Sequence, residues 1–300
     1  MSAARLPAII LATMSALLWG LWWIPIRYLA EFGIHDLWGG LLMSAVIIPP
    51  LLLVLWLRPA SAPLSGKALL GAACVGAAVT TYSTAVNLSD VVRVILLFYL
   101  APAWSKLIET WFLGIKWQRA SSIALVLSLS GGVMVLGGGI SVKGLNLGDL
   151  LALLSGLCWA IGAALIFSGG KADAIKLTLT TALSACVIGI LGAMAFSAML
   201  AVDDIANALP SVAIGGLIYV LPILLVTMWS AQILPPALLS FLLTAEILSG
   251  VLSGVILLSA PFAGFQAVGA MFIIAGAAVE LVLSRAIPSE TTTENVGNSG

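Results

Sequence analysis

Two opposite charges three residues apart, Lys106 and Glu109, sit inside VVRVILLFYLAPAWSKLIETWFLG, residues 91 to 114, a run otherwise apolar enough to cross a bilayer. A charged side chain at the bilayer centre costs roughly 2.5 to 3.5 kcal/mol on insertion scales, so such residues face a protein interior or a water-filled cavity. Their spacing puts both on one helix face within pairing reach. Stepping back along that face at helical spacing brings Pro102 and Tyr99 onto much the same stripe. The stripe joins a phenol, a helix break and two charges, and reads as the wall of a central cavity. Two readings of the pair stay open. It is either a buried ion pair that fixes packing, where each charge lowers the other's desolvation cost, or a Lys106 that attracts a substrate carboxylate.

Glu246 is a second candidate, in SFLLTAEILSGVLSG, with Ser249, Gly250, Ser253 and Gly254 on neighbouring faces. It reads either as a carboxyl hydrogen-bonded where small residues let helices approach, or as a protonatable group that exchanges protons or meets a substrate amine. Trp19, Trp22, Tyr82, Tyr99, Trp159 and Tyr219 lie deep in their runs. A buried tyrosine hydroxyl needs a partner, and a cavity holding water or substrate supplies one. Tyr82 and Tyr99, on consecutive helices, are the preferred cavity pair, and Trp19, Trp159 and Tyr219 are further lining candidates; helix packing is the competing reading. Trp38, Trp56, Trp111 and Trp117 lie near the ends of runs, as an interfacial belt would. Arg27 and Arg93, also near ends, are long enough to snorkel to the headgroups. Pro102 and Pro25 are candidate hinges, because proline kinks helices.

The elements that must hold these residues follow from composition. The chain is 62% hydrophobic and 8% charged, with a mean hydropathy of +1.20, where soluble proteins carry roughly 25% charge. It is therefore expected to be an all-α polytopic membrane protein. Twelve basic and twelve acidic residues balance, leaving no basic surface for nucleic acid. Cys74, Cys158 and Cys186 lie inside apolar runs without pairing or metal-ligand spacing. The single histidine, His35, falls in a loop, the aspartates fall at or near span ends, and no HExxH and no Gly-rich phosphate loop ending in Lys occurs. Those features argue against an intramembrane enzyme, a metal, a cofactor and a nucleotide-driven pump.

Apolar windows of about 20 residues fall near 8 to 29, 38 to 57, 68 to 88, 91 to 113, 119 to 138, 148 to 169, 176 to 201, 211 to 230, 236 to 259 and 262 to 284, which predicts ten transmembrane helices. The run after Arg5 continues through aromatics to Arg27 and reads as an uncleaved first helix. Residues 285 to 300 are polar and expected to be a disordered tail. Counting Lys and Arg in alternate loops gives eight on the amino-terminal side against three (Arg27, Arg93 and Lys143), which predicts cytoplasmic termini.

There is also an internal repeat. SALLWGLWW at 15 to 23 lies on SGLCWAIGA at 155 to 163, with Trp19 opposite Trp159, and the fourth and fifth windows lie on the ninth and tenth. The units are residues 1 to 138 and 148 to 284, joined by a loop at 139 to 147. A unit of five helices is odd, so the second enters from the opposite side. Such inverted repeats place a site at their interface near the midplane, open to either face in turn.

LLWG early in the first unit, YLAP followed by an LG turn and a Gly-rich helix, and SGLCWA opening the second resemble the drug/metabolite transporter superfamily of EamA-like carriers. FYLAPAWSKLIETWFLG and SGVLSGVILLSAPFAGFQAVGAMFIIAGAA at 249 to 278 are most similar to its bacterial aromatic amino acid exporters, and the likeness runs to about Ser284. The resemblance implies ten helices in a bacterial inner membrane, cytoplasmic termini and export of amino acids or related metabolites. It adds weight to Tyr99, which falls in YLAP. The family's ninth helix commonly opens with a Glu-Pro pair, whereas here Glu246 precedes Ile247.

The leading expectation is a secondary transporter for aromatic or hydrophobic amino acids working by alternating access, with the lipid bilayer as its other partner. Proton coupling through Glu246 and facilitated diffusion both fit the sequence. An exporter of cationic drugs is the nearest competitor, since an acid among aromatics suits a cation. Carriers of phosphorylated sugars place several bases in their cavity, and Lys106 is the one clear mid-span base here. A passive channel is the competitor from a different class, without a sign of a selectivity filter.

Overall fold

The computed structural model describes residues 4–35, 37–59, 61–89, 91–136, 145–197, 199–259 and 263–285. Asp36, Asp90 and Lys143, the expected connecting loop as far as Gly144, and the expected tail beyond Arg285 lie outside the described residues. Within them every regular element is helical. Eight segments are long and apolar enough to cross a membrane: Arg5–Ala30, Trp38–Leu57, Gly66–Leu88, Leu147–Ser168, Ala174–Phe196, Val202–Ala231, Pro236–Leu257 and Gly264–Ser284. The chain is a multi-pass helical membrane protein by this measure, as its composition predicts. The window at 91 to 113 is divided into two helices, and the window at 119 to 138 forms a shorter helix of 17 residues.

Several spans are compound. The first is α1 (Arg5–Trp19) and α2 (Trp23–Ala30), the second α3 (Trp38–Val46) and α4 (Ile48–Leu57), and the third the unbroken α5 (Gly66–Leu88). Residues 91 to 112 form α6 (Val91–Phe98) and α7 (Ala101–Phe112), and α8 is Arg119–Val135. Then come α9 (Leu147–Ser168), α10 (Ala174–Phe196), and α11 (Val202–Ile214) running through a π-helical turn (Gly215–Val220) into α12 (Leu221–Ala231). The chain ends in α13 (Pro236–Leu243), α14 (Ala245–Leu258) and α15 (Gly264–Arg285).

Local chemistry sets the starts of the long helices. Ser65 accepts from the Ala68 amide at the start of α5, and Asp173 accepts from that of Ile175 at α10. At α9, Asn146 and Asp149 form a reciprocal capping box.

In lipid, helices gain little from hiding apolar surface from one another, so association depends on close packing and interhelical hydrogen bonds. Glycine provides the first. A Cβ on Gly71 of α5 or Gly162 of α9 would lie 2.8 Å from the carbonyl oxygen of the other, and Gly131 of α8 and Gly269 of α15 are in the same relation at 2.6 and 2.7 Å. Hydroxyls provide the second. Ser155 of α9 donates to the Ala78 carbonyl of α5 at 2.7 Å, and Thr181 of α10 donates to the Ala72 carbonyl at 3.1 Å. Large apolar side chains such as Val126, Met194 and Ile256 face outward, where lipid would meet them.

The packing partners of the two halves are exchanged. The first helix, α1, lies against α12, α13 and α14 of the second half, whereas α9, the first of that half, lies against α5, α6 and α7 of the first. Matched hydroxyls reinforce this. Ser15 of α1 meets Thr227 at 2.8 Å and donates to the Ile223 carbonyl at 3.3 Å on α12, the counterpart of Ser155 on α5.

Candidate functional site

Four spans lose helical regularity at one level. Between α6 and α7 the chain turns at Tyr99 and Leu100, and Pro102, buried in the first turn of α7, has no amide proton to continue the ladder. Between α13 and α14 the break is Thr244, whose hydroxyl donates to the Phe241 carbonyl at 2.6 Å, a side-chain bond that competes with helical backbone pairing. The first span breaks over Gly20 to Trp22, with Pro25 half-buried in the first turns of α2. The π-helical turn that carries Tyr219 interrupts the fourth, and Pro222 follows it. A helix break frees backbone groups and admits polar side chains at mid-span, which lipid-facing chain does not tolerate.

The side chains at these breaks converge. Tyr99 Oη donates to Glu246 Oε1 at 2.7 Å, joining the α6–α7 break to the first turn of α14. A Cβ on Gly20 would overlap the carbonyl oxygen of Glu246 and Ser249 Oγ, so the α1–α2 break lies directly against the same turn. Tyr219 Oη donates to the Leu18 carbonyl. The Tyr219 ring stacks on Trp22 at 6.1 Å, and Trp22 meets Trp19 edge-on at 5.5 Å. From the other side Tyr82 meets Phe98 edge-on at 5.0 Å, and Phe98 meets Tyr99 at 5.8 Å. Tyr82, Tyr99 and Tyr219 all lie within electrostatic reach of Glu246. Three of the chain's four tyrosines therefore surround one carboxyl group.

Glu246 and Tyr82 are half-buried. Tyr99 itself is 6% exposed. A carboxyl group bonded to one phenol, with further aromatic rings nearby, suits an ammonium or other organic cation through charge and cation–π attraction. It also suits a proton. A cavity of about 20 Å³ among α3, α5 and α10, and an apolar surface groove of about 300 Å³ lined by Leu11, Ala174, Leu225, Val226 and Trp229, lie elsewhere.

The remaining sequence candidates occupy other places. Trp159 is buried, and its Nε1 donates to Ser240 Oγ at 3.1 Å, which meets Ser105 Oγ at 2.7 Å. Lys106 is buried between two acids, with Nζ 3.1 Å from Glu109 Oε2 and 3.2 Å from Glu280 Oε1. Glu109 Oε1 in turn accepts from the Ala237 amide at 2.8 Å, in the first turn of α13, where backbone N–H groups lack helical partners. Glu280 was not among the sequence candidates. An acid five residues before the helix-ending Arg285 looks like a span-end residue, and the only signal for it is its place in an otherwise apolar run. Glu109–Ala237, Ser105–Ser240 and Tyr99–Glu246 form one seam between antiparallel spans.

Arg93 pairs with Asp149 in the first turn of α9 at 3.4 Å, where the buried Asp149 carboxylate is also bonded by Ser89 and the Asn146 amide. Cys74, Cys158 and Cys186 are free thiols. Among the described residues no group of three or more His, Cys, Asp or Glu is placed to hold a metal.

No family model matches the chain, and no curated protein matches it. Among solved structures, one described as "Crystal structure of protein" is similar in fold, with a TM-score of 0.73 over 92% of this chain and 99% of that one, at 18% sequence identity.

Proposed function

We propose that the chain is a ten-span secondary transporter, built from two inverted five-helix units, that exports aromatic or hydrophobic amino acids and related small metabolites by alternating access. The observation that carries the reading is Glu246, half-buried near the middle of Pro236–Leu257 and bonded to Tyr99, where four spans break. Discontinuous helices meeting near mid-span at the interface of two units are the usual setting of a carrier's substrate site. The exchanged packing of α1 and α9 supports the inverted arrangement, as does the seam in which Tyr99–Glu246 and Ser105–Ser240 swap ends at the repeat spacing. The bacterial inner membrane and cytoplasmic termini belong to the same proposal and rest on the sequence.

One observation favours a second reading. Lys106 is engaged by two carboxylates, whereas Glu246 is the ionisable group among the tyrosines. A substrate would then need a cationic group more than a carboxylate, as an organic-cation exporter would have it. Counterflow in proteoliposomes separates these. Vesicles are preloaded with unlabelled amino acids or organic cations, and uptake of a labelled amino acid or labelled cation is followed. Stimulation by amino acids supports the first reading, stimulation confined to cations supports the second, and flux without trans-stimulation by either speaks for a channel.

A further inference from the structure

A cluster remote from the tyrosines has more acid than its own base can neutralise. Lys106, Glu109 and Glu280 are 2, 0 and 1% exposed, and one ammonium serves two carboxylates. Three of the four carboxylate oxygens are partnered, by Lys106 twice and by the Ala237 amide once. The fourth, Glu280 Oε2, is buried without a hydrogen-bond partner. The α8–α15 register, set by Gly276 against Ala124 and Ser128, brings Ser121 to the same level, and its buried Oγ also lacks a partner.

The surroundings of Glu280 add little further charge. From α7 come Lys106 and Glu109. α13 contributes the Ala237 amide and has no ionisable side chain. α14 has Glu246 as its one ionisable group, engaged by Tyr99, which lies about 10 Å from Lys106 along the helix axis. On α8, Arg119 is exposed. Arg5 of α1 reaches α15 a turn beyond Glu280, where the Ser284 carbonyl and hydroxyl hold it at 2.6 and 2.9 Å. An uncompensated charge in so dry a place is strongly unfavourable.

We propose that Lys106, Glu109 and Glu280 form a proton-binding site that fastens α7, α13 and α15 together at one end of the bundle and loosens when a proton is bound. The proton comes from water and forms an O–H bond at Glu280 Oε2, while Lys106 keeps its ammonium. The Lys106–Glu280 contact changes from an ion pair to a hydrogen bond between a cation and a neutral acid. The tie between α7 and α15 weakens, and that between α7 and α13 persists through Glu109. This site is distinct from Glu246 and stands whatever solute the chain carries.

The test is infrared spectroscopy of the detergent-solubilised full chain. It follows the carbonyl stretch of protonated carboxylic acids at neutral pH, where ordinary Asp and Glu side chains are ionised. The measurement is made in the E246Q background, so that no band can come from Glu246. A band lost on shifting to alkaline pH is expected in E246Q. It should be absent from E246Q/E280Q and, equally, from E246Q/E109Q, because removing either acid leaves one base facing one acid. Should E246Q/E280Q fail to fold, E246Q/E109Q decides alone. Absence of the band from E246Q, or its survival in either double variant, overturns the proposal.

Discussion

At the scale of single residues, the contact between Tyr99 and Glu246 is the most exposed to test. A hydrogen bond to a charged group contributes about 1.5–3 kcal/mol, and each 1.4 kcal/mol is about tenfold in an equilibrium. Tyr99→Phe keeps the ring against Phe98 and removes only the donor. It should weaken substrate half-saturation in counterflow by roughly ten- to a hundredfold, with the protein still monodisperse by size exclusion. An unchanged half-saturation would separate the hydroxyl from recognition. Lys106→Met poses a different question, since it leaves Glu109 and Glu280 buried without their counter-ion. Removing one partner of a buried ion pair costs about 3–5 kcal/mol, so the single variant should unfold at markedly lower temperature in detergent. The triple variant K106M/E109Q/E280Q should recover most of the loss. The three-residue spacing of Lys106 and Glu109 was legible in the sequence because it is local. Glu280 was not, because its partner lies 174 residues away on another helix.

At the scale of elements, the breaks matter more than the helices. Gly20 lets α1 approach the turn that presents Glu246, and an added methyl would meet not only the Ser249 hydroxyl, which can swing aside, but also the Glu246 carbonyl and the Gly250 amide, which cannot. Overpacking of this kind costs about 1–3 kcal/mol. Gly20→Ala should therefore lower thermal stability in detergent, while Gly254→Ala, with nothing within 4 Å of the added carbon, should leave it unchanged or raise it. Equal effects of the two would remove the close approach from the account. The break before α7 was legible, because Pro102 announces it. The breaks at Thr244 and at Gly20 to Trp22 were less so, since neither has proline within it: the first turns on a threonine hydroxyl bonded three residues back, and the candidate hinge Pro25 lies just beyond the second. The partner of Arg93 was not legible for a related reason: Asp149 lies beyond a loop, 56 residues on.

At the scale of the molecule, the seam between α6–α7 and α13–α14 is where two halves turning against each other would slide or pivot. Ser105 and Ser240 have their Oγ atoms 2.7 Å apart in that seam. The double variant S105C/S240C should form a disulfide under mild oxidation, arrest counterflow, and regain it on reduction; undiminished counterflow in the oxidised form would show that the seam stays rigid during the cycle. Orientation is tested by labelling intact cells with an impermeant maleimide. Glu31→Cys should react, and Ser61→Cys and Lys116→Cys should not. The helical class and most span positions were legible from apolar windows, because lipid imposes one length and one polarity on every crossing. The pairing of spans was not, since small residues at 20, 71, 131 and 269 look alike until their partners are known. That pairing also bears on how the chain is made. Arg5 is fastened to Ser284, 279 residues later, and α1 packs on α12 to α14. A ribosome delivers the first span long before its partners exist, so its final docking waits until synthesis is nearly complete. Long-range closure of this kind is slow and leaves intermediates open to misassembly. Each half expressed alone would be an orphan, and the two expressed together from separate messages would be expected to find one another in the membrane.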